Sequence, residues 1–249
     1  MRYFSRLLFT LLFICTYSPT IAQDLGDCRR GDKTIDQLIN ACKSIVESKN
    51  RTDREVSIAA RQTGRLLKID GRSVEEVTGY FLLSAKKGHS ESYAHIGDLY
   101  RNGYKTLKPD YEKALYYYGQ SSGENVSITQ LVGLGEMYLN GQGVEKSIEK
   151  AISNFELVAH LDDENASIRV RLCDIFQYGK HVDTDLVQAF FWCSSAVDAE
   201  AYPTLKGLYE NNRLNLEMRM SKVQLFESNK LINECKKSGI LLCMTLKRM

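Results

Sequence analysis

The chain has 249 residues, of which 43% are hydrophobic and 26% charged, a composition typical of a folded protein. The formal net charge of +2 is close to balance, so the chain lacks the global basic field of a nucleic-acid or acidic-membrane binder. We therefore predict no nucleic-acid partner. Only three prolines occur in the chain, and this scarcity favours helices.

The first residues have the pattern of an export signal. Arg2 and Arg6 precede an apolar run over 7–17, and small residues at the −3 and −1 positions end at Ala22. The pattern predicts a signal peptide over 1–22, cleaved after Ala22, and a periplasmic or secreted protein without an integral membrane segment. The alternative is an uncleaved membrane anchor, although the run is short for a bilayer span.

Cysteine usage agrees with export. Six cysteines remain after the predicted cleavage, and an even number in a chain that leaves the cytosol predicts disulfide bonds. The six are Cys28, Cys42, Cys173, Cys193, Cys235 and Cys243. Pairing of neighbours along the chain is the simplest connectivity, and buried free thiols are the alternative.

The strongest feature of the sequence is an internal repeat. Gly97, Gly135 and Cys173 occupy equivalent positions 38 residues apart, each followed by an aromatic residue three positions later. The spacing places the small residue and the aromatic on one helix face. A second helix follows in each unit, carrying an alanine and an aromatic residue. Since one such hairpin cannot bury its own apolar face, the units are expected to stack.

Residues 134–151 read Leu-Gly-Glu-Met-Tyr-Leu-Asn-Gly-Gln-Gly-Val-Glu-Lys-Ser-Ile-Glu-Lys-Ala and resemble the Sel-1-like repeat (SLR) family, relatives of the tetratricopeptide repeats. The turn at 86–89, Lys-Lys-Gly-His, resembles the link between repeats of that family. The resemblance implies an all-α fold, a right-handed α-solenoid of antiparallel helix hairpins. It also implies a role in protein–protein contacts.

The repeat pattern predicts five segments. The signal peptide over 1–22 is followed by N-terminal helices over 23–72, including a tetratricopeptide-like first helix. Sel-1-like repeats, about three and a half of them, occupy 73–198. Capping helices are predicted over 199–239, and the tail over 240–249 receives no assignment.

The third repeat carries two cysteines at positions that face each other. Cys173 stands in the glycine position, and Cys193 stands where the other repeats have Tyr118 and Phe155. Because both partners of one packing contact are replaced in the same unit, we predict a disulfide across this hairpin. The remaining cysteines predict the pairs Cys28–Cys42 and Cys235–Cys243.

Catalytic motifs are absent from the sequence. It contains no His-Glu-x-x-His, no phosphate-binding glycine loop and no Gly-x-Ser-x-Gly. Two of the four histidines, His89 and His95, are six residues apart and share no helix face, so a zinc site is a minor alternative. We predict a protein that is not an enzyme, with no catalytic residue, metal site or cofactor.

The candidate binding surface is implied by the resemblance, since first helices line the concave side of related solenoids. The residue after the small position is acidic in all three repeats: Asp98, Glu136 and Asp174. Like charges on one face repel each other unless a basic ligand is present, which predicts a protein or peptide partner with basic character. The alternative is a set of ordinary solvated positions. The candidate partner-binding residues are Glu91, Asp98, Arg101, Thr129, Glu136, Asn140, Asp174 and Gln177.

Together these features predict an exported scaffold or adaptor that binds a partner peptide or protein on its concave face. Two alternatives remain. One is a hydrolase-like factor associated with the envelope or with peptidoglycan, and the other is a secreted effector or periplasmic regulator of a sensor protein. The sequence leaves the oligomeric state open.

Overall fold

The structure, a computed structural model, describes residues 25–28, 31–121, 126–178 and 183–239. The predicted signal peptide, the tail over 240–249 and Cys243 lie outside the described residues. The described part of the chain forms eleven named α-helices. They are α1 Ile35–Glu47, α2 Asp53–Ile69, α3 Val74–Lys86, α4 Ser92–Asn102, α5 Tyr111–Gln120, α6 Ile128–Asn140, α7 Ile148–Leu161, α8 Ala166–Tyr178, α9 Leu186–Ala199, α10 Pro203–Arg219 and α11 Lys222–Ser238.

Local sequence signals fix the helix ends. A capping box begins α11: the Ser221 hydroxyl accepts a hydrogen bond from the Gln224 backbone amide, and the Gln224 side chain accepts one from the Ser221 backbone amide. Gly103 and Gly141 follow α4 and α6 with φ of 74° and 67°. A backbone with positive φ favours glycine, so these residues end the helices and turn the chain towards the second helix of each hairpin.

Helices α2 to α9 form four antiparallel hairpins, α2/α3, α4/α5, α6/α7 and α8/α9. Three of them close through a glycine on the first helix and a ring on the second: Gly64 with Phe81, Gly97 with Tyr118, and Gly135 with Phe155. A Cβ built on Gly97 would lie 2.6 Å from two Tyr118 ring carbons, so the backbone approaches the ring as closely as glycine allows. The predicted contact between the glycine and aromatic positions is therefore present.

The fourth hairpin replaces this contact with a disulfide. Cys173 and Cys193 are bonded, with their Cα atoms 5.3 Å apart, and both are buried. A second disulfide joins Cys28 to Cys42 across a Cα distance of 4.9 Å and ties residues 25–28 to α1. Cys235 is also disulfide-bonded. Its predicted partner, Cys243, lies outside the described residues.

The hairpins stack into an α-solenoid whose buried side chains form three clusters along the repeats. Tyr118, Phe155 and Trp192 are among the largest fully buried side chains. The first helices α4 and α6 pack directly on each other, whereas α5 and α7 make at most marginal contact. Between these two units the first helices therefore form the closer layer.

The two ends of the described chain differ. The outward residues of α1 are polar, but α10 and α11 leave Leu208, Met218, Val223 and Phe226 between 61% and 78% exposed. This surface differs from the polar outer face expected of a capping unit. Helix α10 is long, with 17 residues from Pro203 to Arg219. No glycine or proline follows Gly207 before the chain turns at Met220, so nothing stops the helix earlier.

Candidate functional site

Four positions on the first helices form a row, which we call the first-helix row: Arg65, Asp98, Glu136 and Asp174. Each directly follows the glycine or cysteine that packs into its own hairpin. The glycine or cysteine packs against the second helix of its hairpin. The next residue in the chain, which belongs to the row, therefore lies beside this contact on the first helix. All three acidic members are partly exposed, and Arg65 is exposed.

Asp98 is held by its own hairpin. Its carboxylate accepts a 2.6 Å hydrogen bond from the Tyr118 hydroxyl and lies 3.6 Å from the Arg101 guanidinium. Arg101 Nε also donates to the Tyr118 oxygen, at 3.2 Å. Burial raises the pKa of Asp98, and the Tyr118 hydrogen bond opposes that shift. The charge of Asp98 is thus matched within the repeat.

Glu136 is paired with the next repeat. Arg171 on α8 donates from Nε and Nη2 to the two Glu136 oxygens, at 2.9 and 2.8 Å, in a bidentate pair. Asn140, one turn along α6, donates from Nδ2 to the Glu136 carbonyl at 2.9 Å. This pair links α6 to α8 across 35 residues of sequence.

Asp174 is bonded to a buried amide. Gln177 Nε2 donates to the Asp174 carboxylate at 3.2 Å and lies 3.5 Å from the Asn212 oxygen on α10. Burial raises the pKa of Asp174, while the Gln177 hydrogen bond acts in the opposite direction. Gln177 is only 3% exposed, so it supports Asp174 from within and does not offer its amide to a partner.

The other predicted residues lie at the start of first helices. Glu91 precedes α4 and approaches Arg61 at 3.8 Å and His89 at 3.5 Å. Thr129 is half-buried in the first turn of α6.

These contacts bear on the reason for expecting a basic partner. The prediction assumed that the acidic row repels itself unless a ligand supplies positive charge. In the structure Asp98 has Tyr118 and Arg101, Glu136 has Arg171, and Asp174 has the Gln177 amide. Each acidic side chain thus has a donor within the chain, and the basic character of a partner stays a prediction.

The N-terminal member of the row has a different environment. Arg65 and Lys68 are exposed on α2, and among the described residues neither forms an ion pair with a carboxylate. They line a pocket of about 340 Å³ together with Ile69, Phe81, His95 and Tyr104. Arg65 is not among the candidate residues predicted from the sequence. The missed signal was the spacing of Arg61, Arg65 and Lys68, which places three cations along one stripe of α2.

His95 closes the inner side of this pocket. Its ring lies 5.0 Å from the Phe81 ring, centroid to centroid. Burial, with a further contribution from nearby Arg65, Arg61 and Lys68, lowers the pKa of His95 to about 4. The imidazole is therefore neutral at neutral pH, and the positive charge of the pocket comes from Arg65 and Lys68.

Within the described ranges, no three His, Cys, Asp or Glu side chains come together as a metal site. None of the described helices has the length and apolar content needed to cross a membrane.

Comparison with known proteins places the repeats. The Sel1 repeat family matches residues 90–123, 131–163 and 169–200, which coincide with the hairpins α4/α5, α6/α7 and α8/α9. Among curated proteins, the chain is 35% identical over 80 residues to the "ERAD-associated E3 ubiquitin-protein ligase component HRD3B" of Arabidopsis thaliana. It is 28% identical over 129 residues to "Chitin synthase regulatory factor 2" of Schizosaccharomyces pombe.

These matches cover 32% and 49% of this chain, but only 12% and 25% of the two relatives. The likeness is therefore one of repeats and not of whole proteins.

Two solved structures are similar to this chain. A Sel1 repeat protein from Oxalobacter formigenes superposes with a TM-score of 0.52 at 19% identity, covering 82% of this chain and 80% of that one, and has the same helical fold. A protective antigen of uropathogenic Escherichia coli strains, described as displaying an SLR fold, gives a TM-score of 0.41 at 19% identity, over 85% of this chain and 51% of that one. The chain thus carries three Sel1 repeats, each folded as a helix hairpin.

Proposed function

We propose that this protein is an exported scaffold that holds a protein partner along the first-helix row and catalyses no reaction. The observation that carries the proposal is the row itself. Its three acidic side chains are fixed by hydrogen bonds within and between repeats, yet remain partly exposed on the first helices. Side chains that are already ordered lose little conformational entropy on binding, which favours recognition by a preformed surface.

The three matched Sel1 repeats support a protein as the ligand. Solenoids of stacked hairpins present long concave surfaces, which such repeat proteins use to bind extended segments of other chains. Disulfides support export, because they persist in oxidising compartments and are rare in the cytosol. The predicted signal peptide agrees with this location. N-terminal sequencing of the protein from its native source is expected to begin at Gln23. A chain that begins at Met1 and stays in the cytosol would contradict the export part of the proposal.

The binding surface is tested by capture with the purified mature chain. Crosslinking to the native extracytoplasmic fraction would be followed by mass spectrometry for wild type and two variants. The row variant is Glu136→Lys with Asn140→Lys on α6. The control is Glu112→Lys with Gln120→Lys on α5, which has the same charge change at exposed positions of a second helix.

We expect one specific partner to be captured by wild type and by the control, and lost from the row variant. Circular dichroism must show that all three proteins are folded. Equal capture by all three would remove the row from the proposal, and the absence of any specific partner would overturn the scaffold function.

A further inference from the structure

The pocket at the N-terminal end of the row combines two features that the other positions lack. Its cations, Arg65 and Lys68, form no ion pair with a carboxylate among the described residues, whereas the neighbouring Arg61 lies 3.8 Å from Glu91. The nearest acidic member of the row, Asp98, is held by Tyr118 and Arg101, and the charge of Lys68 acts on it from a greater distance. The positive charge at this end of the row is therefore only partly offset within the chain.

The walls of the pocket are apolar and fixed. Phe81 is buried against Gly64, and the His95 ring lies beside it. The Tyr104 hydroxyl donates to the carbonyl oxygens of Lys68 and Arg72, at 3.1 and 3.0 Å, and so ties the loop after α4 to the end of α2. A site with two cations beside aromatic rings suits an anion that is attached to an apolar group.

The size and surroundings of the pocket distinguish between anions. About 340 Å³ accommodates one or two side chains and is small for a macromolecular surface. Beyond the pocket, the row continues with Asp98, Glu136 and Asp174, which offer no further cation to the next phosphates of a nucleic acid. A short acidic peptide segment pairs with the cations of the pocket. Unlike a nucleic acid, its next residues can be uncharged.

We propose that this pocket binds an acidic peptide segment of the partner, with Arg65 and Lys68 pairing its carboxylates and Ile69, Phe81 and Tyr104 contacting an adjacent apolar side chain. Arginine binds carboxylate in a bidentate geometry, and lysine three residues later on the same helix face supplies a second point charge. The inference rests on the proposed scaffold function and gives the partner segment its chemistry, which is opposite to the basic character expected from the sequence.

The test is fluorescence anisotropy with a labelled hexapeptide, Ser-Gly-Glu-Glu-Leu-Gly, and a neutral version in which glutamines replace both glutamates. The acidic peptide is expected to bind wild type about tenfold more tightly than the neutral one, since two charge-assisted contacts are lost in the latter. The variant Arg65→Glu with Lys68→Glu should lose at least about tenfold for the acidic peptide, with little change for the neutral peptide.

A matched control separates the pocket from net charge. Lys146→Glu with Lys222→Glu changes the net charge by the same amount at exposed lysines outside the pocket. This control is expected to bind the acidic peptide within about twofold of wild type when salt screens distant charges. Equal weakening of both variants, or equal binding of the two peptides by wild type, would overturn the proposal. Tighter binding of a single-stranded DNA oligonucleotide than of the acidic peptide would also overturn it, in favour of phosphate as the ligand.

His95 supplies a second readout inside the pocket. A bound carboxylate favours the charged imidazolium, so saturating acidic peptide should raise the pKa of His95, measured by NMR, from its free value of about 4. The charged groups facing His95 are Arg65, Arg61 and Lys68 from α2 and, before α4, His89. The pKa of His95 should not move with the neutral peptide, and an unchanged value at saturation with the acidic peptide would contradict binding in this pocket.

The capture experiment keeps the two proposals distinct. If the Arg65→Glu/Lys68→Glu variant still captures the partner that the α6 row variant loses, the scaffold function stands and the acidic-peptide pocket fails. If the partner is captured normally by the α6 row variant and lost with the pocket variant, the pocket stands and the wider row does not bind.

Discussion

The glycines of the first helices offer a direct test of how the hairpins close. Gly97→Ala adds a Cβ that would lie 2.6 Å from two ring carbons of Tyr118. The ring cannot retreat easily, because it lies between Gly97 and Gly133 and its hydroxyl is bonded to Asp98. Overpacking of this kind costs about 3 kcal/mol at the upper end of its usual range. Alanine recovers about 1 kcal/mol of helix propensity, which leaves a net loss of about 2 kcal/mol.

The assay is urea denaturation followed by far-ultraviolet circular dichroism. With a slope of about 2–3 kcal/mol per molar urea, the Gly97→Ala midpoint should fall by about 0.7–1 M. The matched control is Gly79→Ala on α3, where no atom lies within 4 Å of the added Cβ. At Gly79 the higher helix propensity of alanine is not opposed by a clash, so the urea midpoint of Gly79→Ala should rise above that of wild type.

A double variant identifies the contact responsible. Tyr118→Leu removes the ring and lowers stability on its own account, but adding Gly97→Ala to it should then cost little or stabilise, because the clash is gone. If Gly97→Ala is as stable as Gly79→Ala, the close glycine–ring contact does not hold the hairpin. If Gly97→Ala costs the same with and without Tyr118, another neighbour is responsible.

Three further perturbations follow from the same structure. Replacing Cys173 and Cys193 together by alanine removes a cross-link over 20 residues and should lower the free energy of unfolding by about 3 kcal/mol, measured by urea denaturation; an unchanged midpoint would show that packing alone holds α8 to α9. The pKa of His95 is about 4 in the folded protein and about 6.5 in the unfolded chain, so between these values the unfolded state binds one more proton. Lowering the pH from about 7 to 5 should therefore reduce the free energy of unfolding by about 2 kcal/mol in wild type but not in His95→Gln. Thermal melts measure this difference, and pH profiles that run parallel for the two proteins would contradict it. Removing the partly exposed Arg171–Glu136 pair should cost only about 0.5–1 kcal/mol in a double-mutant cycle, and a much larger coupling would mean that the pair carries structural weight beyond its exposure.

Much of the fold could be predicted from spacing alone. The repeat of small and aromatic residues gave the helix hairpins, and the joint replacement of glycine and ring gave the Cys173–Cys193 disulfide. Both depend on residues whose contact is repeated in every unit, so that one unit predicts the next. The length of α10 and the exposed apolar residues at that end do not recur, and no other unit of the chain indicated them.

The candidate site was predictable only in part. The position of each residue follows from the repeat spacing, whereas its hydrogen-bond partners come from other helices. Spacing identified the first-helix row, since residues that follow the packed glycine share one place in every hairpin. It did not identify the partners of those residues. Arg171 lies 35 residues from Glu136, and Tyr118 lies 20 residues from Asp98 on the facing helix. A pattern read one helix at a time counts the carboxylates and omits the groups that balance them.

Internal pairing offsets the charge of the acidic side chains of the row. A partner therefore meets mainly the positive charge of Arg65 and Lys68, which is opposite in sign to the acidic pattern seen in the sequence. Asp98, Glu136 and Asp174 each have a donor within the solenoid, while Arg65 and Lys68 form no ion pair with a described carboxylate and Lys68 acts on Asp98 only from a distance. Pairing between successive repeats requires a repeat on each side, and α2 belongs to the first hairpin of the described stack. An end position of this kind keeps unpaired charge without strain elsewhere, because solvent or a ligand can supply the counter-charge. Specificity of this scaffold for one partner is thus expected at the end of the row more than along its length.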